Sequence, residues 1–324
     1  MSGTGDEEPG GLGRLGRAAV DSPTAVDPLL TLILPVDHGH GAVLGSSAKQ
    51  VRRQQLGLLL RSRTFLVGAA ILLLWIVCAI FGGMFRPYDP LAVNLFTTNA
   101  PPSGVHLFGT DSLGRDVLSR AIIGSREILF VAPSSAALGT IFGTVMGLVQ
   151  GYYRGLVDMI TGRIIEAYLA LPLVIAAFVF IVALGPSILT LVLVISITFG
   201  FLISRTVRTA VLLERDLDYV AAARLQGEGA MHNMFVEILP NVMGPIIVEF
   251  TVRLGYAIFL VATLSFLGFG VSPPTPDWGA DIAANYQYLV AGYWWETLFP
   301  ALAIASLITA INLMGDSIET VVIQ

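Results

Sequence analysis

The chain has 324 residues, of which 55% are hydrophobic and 13% charged, and its formal net charge is −5. Soluble domains carry about 25% charged residues, so this deficit and the long apolar runs exclude an ordinary soluble globular protein. The acidic balance argues against a nucleic-acid partner, and the single cysteine, Cys78, excludes an internal disulfide framework and a cysteine-based zinc site.

Residues 1–56 are rich in Gly, Pro and Asp at the start and read as a largely disordered cytoplasmic N-terminal tail. The opening MSGTGDEEPGGLG is acidic and Gly-rich, not basic then apolar. No secretory signal peptide is visible there, and insertion is expected to rely on the transmembrane segments themselves. The apolar run 29–34 is too short to span a bilayer, which takes about 20 residues. Lys49, Arg52, Arg53, Arg61 and Arg63 then gather ahead of the first long apolar run.

Hydropathy predicts six membrane spans, over residues 64–85, 128–150, 164–184, 188–203, 242–267 and 297–314. At about 1.5 Å per residue the first crosses a hydrocarbon core of about 30 Å. The prolines and glycines of 86–120 argue against one regular helix in the first external loop. The third span contains Pro172 and stops at the Gly185-Pro186 break. The chain divides into the tail, a first helix with its external loop over 57–126, and a transmembrane core over 127–324.

The basic cluster before the first span, Arg154 and Arg163 after the second, and Arg205, Arg208, Arg215 and Arg224 after the fourth define one side of the membrane. Loop 271–296 has no Lys or Arg. The positive-inside rule therefore puts both termini and the loops after spans two and four in the cytoplasm. Arg86, Arg115, Arg120 and Arg126 fall in the first external loop against this rule, and local pairing with Asp111 and Asp116 is expected to offset them.

The cytoplasmic loop 205–241 is the most informative stretch. Within it, 216–240 reads DLDYVAAARLQGEGAMHNMFVEILP. Two short helical patterns, 219–225 and 231–239, are divided by Gly227-Glu228-Gly229. Glycine supplies the positive φ that ends one helix before the next begins, and Pro240 is expected to end the second pattern. Ala221, Ala222 and Ala223 let a partner surface come close. The residues alone leave two readings open: a mechanical handle for a partner, or a loop packed on its own bundle.

This stretch resembles the EAA loop of bacterial ABC importer permeases. Ala222, Ala223, Gly227, Ile238, Leu239 and Pro240 fit that pattern, while Ala221 stands where many members carry Glu. RPYDP at 86–90, followed by HLFGTDSLGRDVLSRAIIGSREIL at 106–129, resembles the N-terminal signature of C-type permease subunits of dipeptide and oligopeptide importers. GYYRGLVDMITGRIIEAYLALP, LSFLGFGVSPPTPDWG and NLMGDSIE resemble further segments of that family. The resemblance covers about 57–319 and leaves the tail out.

It implies an all-α membrane protein with the six-helix, MetI-like fold of type I ABC importers. It implies that a coupling helix, carried by Tyr219, Ala221, Ala222, Ala223, Gly227, Glu228, Ile238, Leu239 and Pro240, docks into a groove on an ATPase subunit. The expected partners are a second, B-type permease chain, one or two ATPase subunits, an extracytoplasmic substrate-binding protein and the bilayer of a bacterial cell membrane. ATP and Mg would belong to the ATPase subunits, since the chain has no GxxxxGK[ST] loop and is expected to bind no cofactor and catalyse nothing itself. Di- or oligopeptides are the implied cargo. The wider family also moves nickel complexes, haem and glutathione, and an ion-coupled secondary transporter is the alternative outside it.

In the external loop, Gly109-Thr110-Asp111 and Gly114-Arg115-Asp116 are expected to form turns locked by Asx and Arg hydrogen bonds. His106, Asp111 and Asp116 lack regular metal-ligand spacing. Trp278, Trp294 and Trp295 read as interfacial anchors. Glu249 and Arg253 are placed to pair at i, i+4, and Glu166 stands near the inner end of the third span.

Overall fold

The structure, a computed structural model, describes residues 57–323 except 186 and 272–273. The expected tail, with its 29–34 run and most of its basic cluster, lies outside the described residues. Among the described residues the chain is helical and contains no strand, only an isolated antiparallel bridge between Thr110 and Asp116.

Helix α1 (Arg63–Phe85) starts at Ser62, whose hydroxyl accepts from the Phe65 amide. It is apolar on all sides and little of it is buried by protein, as suits a helix facing lipid. Its Trp75 indole donates to Ser306 at 2.9 Å, which fixes it to the last helix. Helix α2 (Val117–Tyr153) has 37 residues and is capped by Asp116. It begins eleven residues before the expected second span, so Arg120 and Arg126 stand on its first turns and not in a loop. Their real partners are Asp281 and the Ala79 carbonyl, whereas Arg115 does pair with Asp111 at 2.7 Å.

After α2 the chain reverses at Arg154 and Gly155, both at positive φ. The expected single third span is instead two helices, α3 (Gly155–Leu169) and α4 (Leu173–Leu184), bent by 92°. Pro172 is the cause: it donates no hydrogen bond and holds the preceding residue out of the helical region. Helix α5 (Ile188–Glu214) is capped by Ser187 and extends well past the expected end at 203. Helix α6 (Asp218–Leu225) lies in the following loop, and α7 (Met243–Phe266), the short α8 (Trp278–Asn285) and α9 (Trp295–Ile323) complete the chain. Among the described residues five helices are long and apolar enough to cross a membrane, and the bent pair supplies a sixth crossing if counted as one.

The core is built on the pairing of α2 with α5, the most extensive among the described residues. Val131, Ala132 and Leu148 of α2 are buried with Ile195, Phe199, Ile203 and Val207 of α5. Gly139, Gly143, Gly147 and Gly151 recur every fourth residue on the face of α2 that meets α5. Hydrocarbon solvent gives helices no hydrophobic reason to associate, so close backbone packing over small residues does that work.

Candidate functional site

Helix α6 packs by one side only. Val220 and Ala223 are buried, while Ala221, Ala222, Arg224 and Leu225 are exposed. Leu225 is 90% exposed and Met231 66%, so apolar side chains stand at the free tip of the loop. The helix closes in a Schellman turn, with Gly227 at φ +87. The Gly227 amide donates to the Arg224 carbonyl and the Glu228 amide to the Ala223 carbonyl, each at 3.1 Å. Gly227 thus does what its position in the sequence predicts.

The second arm is a helical turn, Ala230–His232, a π-helix, Asn233–Ile238, and a final turn, Leu239–Asn241. Asn233, Met234 and Ile238 are buried, and Leu239 is half-buried. The sequence leads one to expect Pro240 to end this arm, and it does not. It sits in the first turn of Leu239–Asn241, and the chain runs on into α7. The Leu239 amide bonds back to the Met234 carbonyl in the wide π register. This shift at the end of the π segment lets a residue without an N–H enter with little disruption.

Side-chain bonds tie this loop to α2 and α5 and its two arms to each other. The Tyr219 hydroxyl donates to Glu214 at the end of α5 at 2.7 Å and accepts from Asn241 at 3.2 Å. Burial and the neighbouring Glu214 carboxylate push the Tyr219 phenol up to about 12, so it remains a donor. Arg215 donates to the Gly151 and Tyr152 carbonyls, which lie among the unsatisfied acceptors at the end of α2. Arg224 stands 5.1 Å over the Tyr152 ring, and Asn233 donates to the Tyr152 hydroxyl at 3.3 Å. Arg154 pairs with Asp216 at 2.7 Å. The hydrogen bonds from Arg215 and then Arg154 hold the Asp216 carboxyl below the ordinary carboxylate range. The loop is thus bonded to α2 and α5, and its arms are joined through Tyr219 and Asn241 at the entry to α7.

Tyr152, Arg154, Arg215 and Asn233 were not singled out by sequence reasoning for this role. The arginines counted there only as orientation charges, and their aromatic and amide partners lie in other segments.

At the opposite end of α2, the GTD and GRD units form the expected locked turns. Gly109 and Gly114 have φ of +76 and +72. Asp111 accepts from the Leu113 and Arg115 amides at 2.9 Å and from the Arg115 side chain at 2.7 Å. The Thr110 hydroxyl donates to the Thr97 carbonyl and accepts from the Ala100 amide. Asp116 accepts from the Ser119 amide and hydroxyl, and its other oxygen meets His106 Nδ1 at 2.9 Å.

Two of the three tryptophans expected as interfacial anchors are instead buried by protein. Trp278 is 1% exposed and donates to the Ala121 carbonyl at 2.8 Å; Trp295 is 6% exposed and donates to Thr110. Both fill the junction of α8 and α9 with the start of α2, and only Trp294 stays exposed. Within the bundle, Glu249 and Arg253 pair at 2.9 Å as expected, with Thr206 donating to Glu249. Glu166 pairs with Arg163 at an exposed position.

Residues 139–324 match the family described as binding-protein-dependent transport system inner membrane component. Residues 53–102 match the N-terminal transmembrane domain of oligopeptide transport permease C. The chain is 39% identical to the di/tripeptide transport system permease protein DppC of Pseudomonas aeruginosa, over 78% of this chain and 85% of that one. It is 39% identical to the dipeptide transport system permease protein DppC of Escherichia coli, over 80% and 88%. The corresponding protein of Bacillus subtilis is 35% identical over 80% and 81%. On both the family match and these relatives, the chain belongs to the binding-protein-dependent transport system inner membrane components, the permease subunits of ABC importers.

Proposed function

We propose that the chain is the C-type permease subunit of a peptide importer in a bacterial cell membrane, with both termini in the cytoplasm. A second, B-type permease chain completes the translocation pathway. An extracytoplasmic binding protein delivers di- or oligopeptides, and one or two ATPase subunits bind ATP and Mg. The names of the relatives support the peptide cargo.

The observation that carries this reading is the construction of loop 216–240. It offers a small, one-sided helix with an apolar tip, rooted by Tyr219, Arg215 and Asn233 in α5 and α2. ATP-driven closure of the partner subunits would move that helix as a lever. Because α2 and α5 share its roots and its second arm runs on into α7, the three would tilt together, a rigid-body route between outward- and inward-open states. The chain's own part is mechanical.

The test is to purify the chain alone and with its partners. Alone it is expected to hydrolyse no ATP; in proteoliposomes with the partner subunits, hydrolysis should drive peptide uptake. Robust hydrolysis by the isolated chain, or uptake that persists without any ATPase, would overturn the reading.

A further inference from the structure

An apolar cavity of about 540 Å³ opens between α1 and α2. Leu72, Ile76 and Ile80 form one wall, Phe130 and Pro133 the other, and Ile258 lies at its base. One charged residue borders it, Arg126. The Arg126 side chain is exposed, and its Nε donates to the Ala79 carbonyl at 3.0 Å. Among the described residues no carboxylate pairs with it.

Depth makes this arrangement informative. Ala79 is about 9 Å from the Phe85 end of α1, and Arg126 about 14 Å from the start of α2. With a hydrocarbon half-thickness of about 15 Å, the guanidinium belongs to the upper part of one leaflet, within reach of the headgroups by snorkelling. An exposed guanidinium with only a backbone partner is costly at that depth. The cavity beneath it is nearly all hydrocarbon-lined, and its volume is that of a small-molecule site. A transmembrane helix, about 10 Å across, does not fit.

We propose that this groove binds one anionic phospholipid, with an acyl chain between α1 and α2 and the phosphate on the free N–H groups of Arg126. An acyl chain matches the narrow apolar slot, and the phosphate supplies the counter-charge that the protein does not. A free phosphate ion would leave the slot unfilled, and a zwitterionic headgroup would bring a second cation near Arg126. The inference rests only on the membrane-spanning character of these helices, so its failure would leave the family and the coupling loop untouched.

The test uses the assembled transporter in nanodiscs of equal phosphatidylglycerol and phosphatidylcholine, released into native mass spectrometry. Preferential retention of phosphatidylglycerol is expected. Arg126→Gln should lower it about tenfold, the loss expected for a charge-assisted hydrogen bond, and Arg126→Lys should keep much of it. Ala79→Phe, which fills the slot and leaves the charge, should lower it too. Equal retention of the two lipids, or retention indifferent to Arg126→Gln, would overturn the proposal. If the variants fail to assemble, a photo-crosslinking residue at Ile80, 62% exposed, decides. A lipid adduct supports the site, and an adduct only with the second permease chain refutes it.

Discussion

A methyl group placed on Gly143 of α2 would lie 2.6 Å from the Gly200 carbonyl oxygen of α5. The next positions are as tight: Gly147 would meet Val207 at 2.7 Å, and Gly151 would meet Val211 at 2.6 Å. Only hydrogen fits along this seam, so the two helices approach backbone to backbone. Gly143→Leu is expected to prise them apart at a cost of about 1–3 kcal/mol or more, as overpacked cores do. Gly162 on α3 meets nothing within 4 Å, so Gly162→Ala should be neutral or mildly stabilising. Thermal unfolding of the solubilised complex separates the two, and equal losses would remove the seam from the account.

The Schellman turn at Gly227 gives a second prediction. Its φ of +87 costs an L-residue roughly 1–2 kcal/mol, although a side chain there would meet nothing within 4 Å. Gly227→Ala should therefore weaken coupling by strain alone. Gly227→Pro should do more, because it also deletes the amide that bonds Arg224. Both should insert and assemble, with ATP hydrolysis retained and peptide uptake reduced, more severely for the proline. A proline variant that transports at the normal rate would show that this turn does not carry the coupling.

Much of this loop was legible in the sequence because its signals are local. A glycine between two helical patterns marks a C-terminal turn, but Ala223, expected with Ala221 and Ala222 to meet a partner, turns inward and is buried against the bundle. The hydropathy of the spans was equally local. What escaped depends on pairing across the chain. Trp278 looks interfacial by type, yet its partner is the Ala121 carbonyl, 157 residues away. Arg120 looked like a loop charge because its carboxylate, Asp281, is 161 residues on. The bend at Pro172 was marked by a proline, but hydropathy averages over direction and reads a broken span as a straight one.

Arg120 and Asp281 supply the third prediction. Both are buried, 4% and 5% exposed, and the guanidinium donates to Asp281 Oδ1 from Nε at 3.0 Å and from Nη2 at 2.5 Å. Asp281→Asn would leave a buried cation without its counter-charge, a loss of about 3–5 kcal/mol. The exposed Arg163–Glu166 pair is the contrast, and Glu166→Gln should cost about 0–1 kcal/mol. Expression and thermal stability of the assembled complex would read both. A mild Asp281→Asn phenotype would mean that the pair adds little to the junction of α2 with α8.

Asp277 gives a pH dependence of definite sign. It caps α8, accepting from the Gly279 and Ala280 amides and from the Ser265 hydroxyl. Burial raises its carboxyl above the ordinary range, and these hydrogen bonds and Arg120 oppose the rise without cancelling it. The unfolded chain then loses this proton first as pH rises, and the native state binds more protons across the interval. Stability from this group is complete below about pH 4, the unfolded value, and is lost as pH rises through the raised native one. Asp277→Asn keeps a capping oxygen and removes the titration. The variant should therefore lack this part of the decline and match or exceed the wild type in melting temperature at neutral pH. Parallel curves for the two proteins from pH 4 to 7 would show that Asp277 pays no burial cost when it ionises.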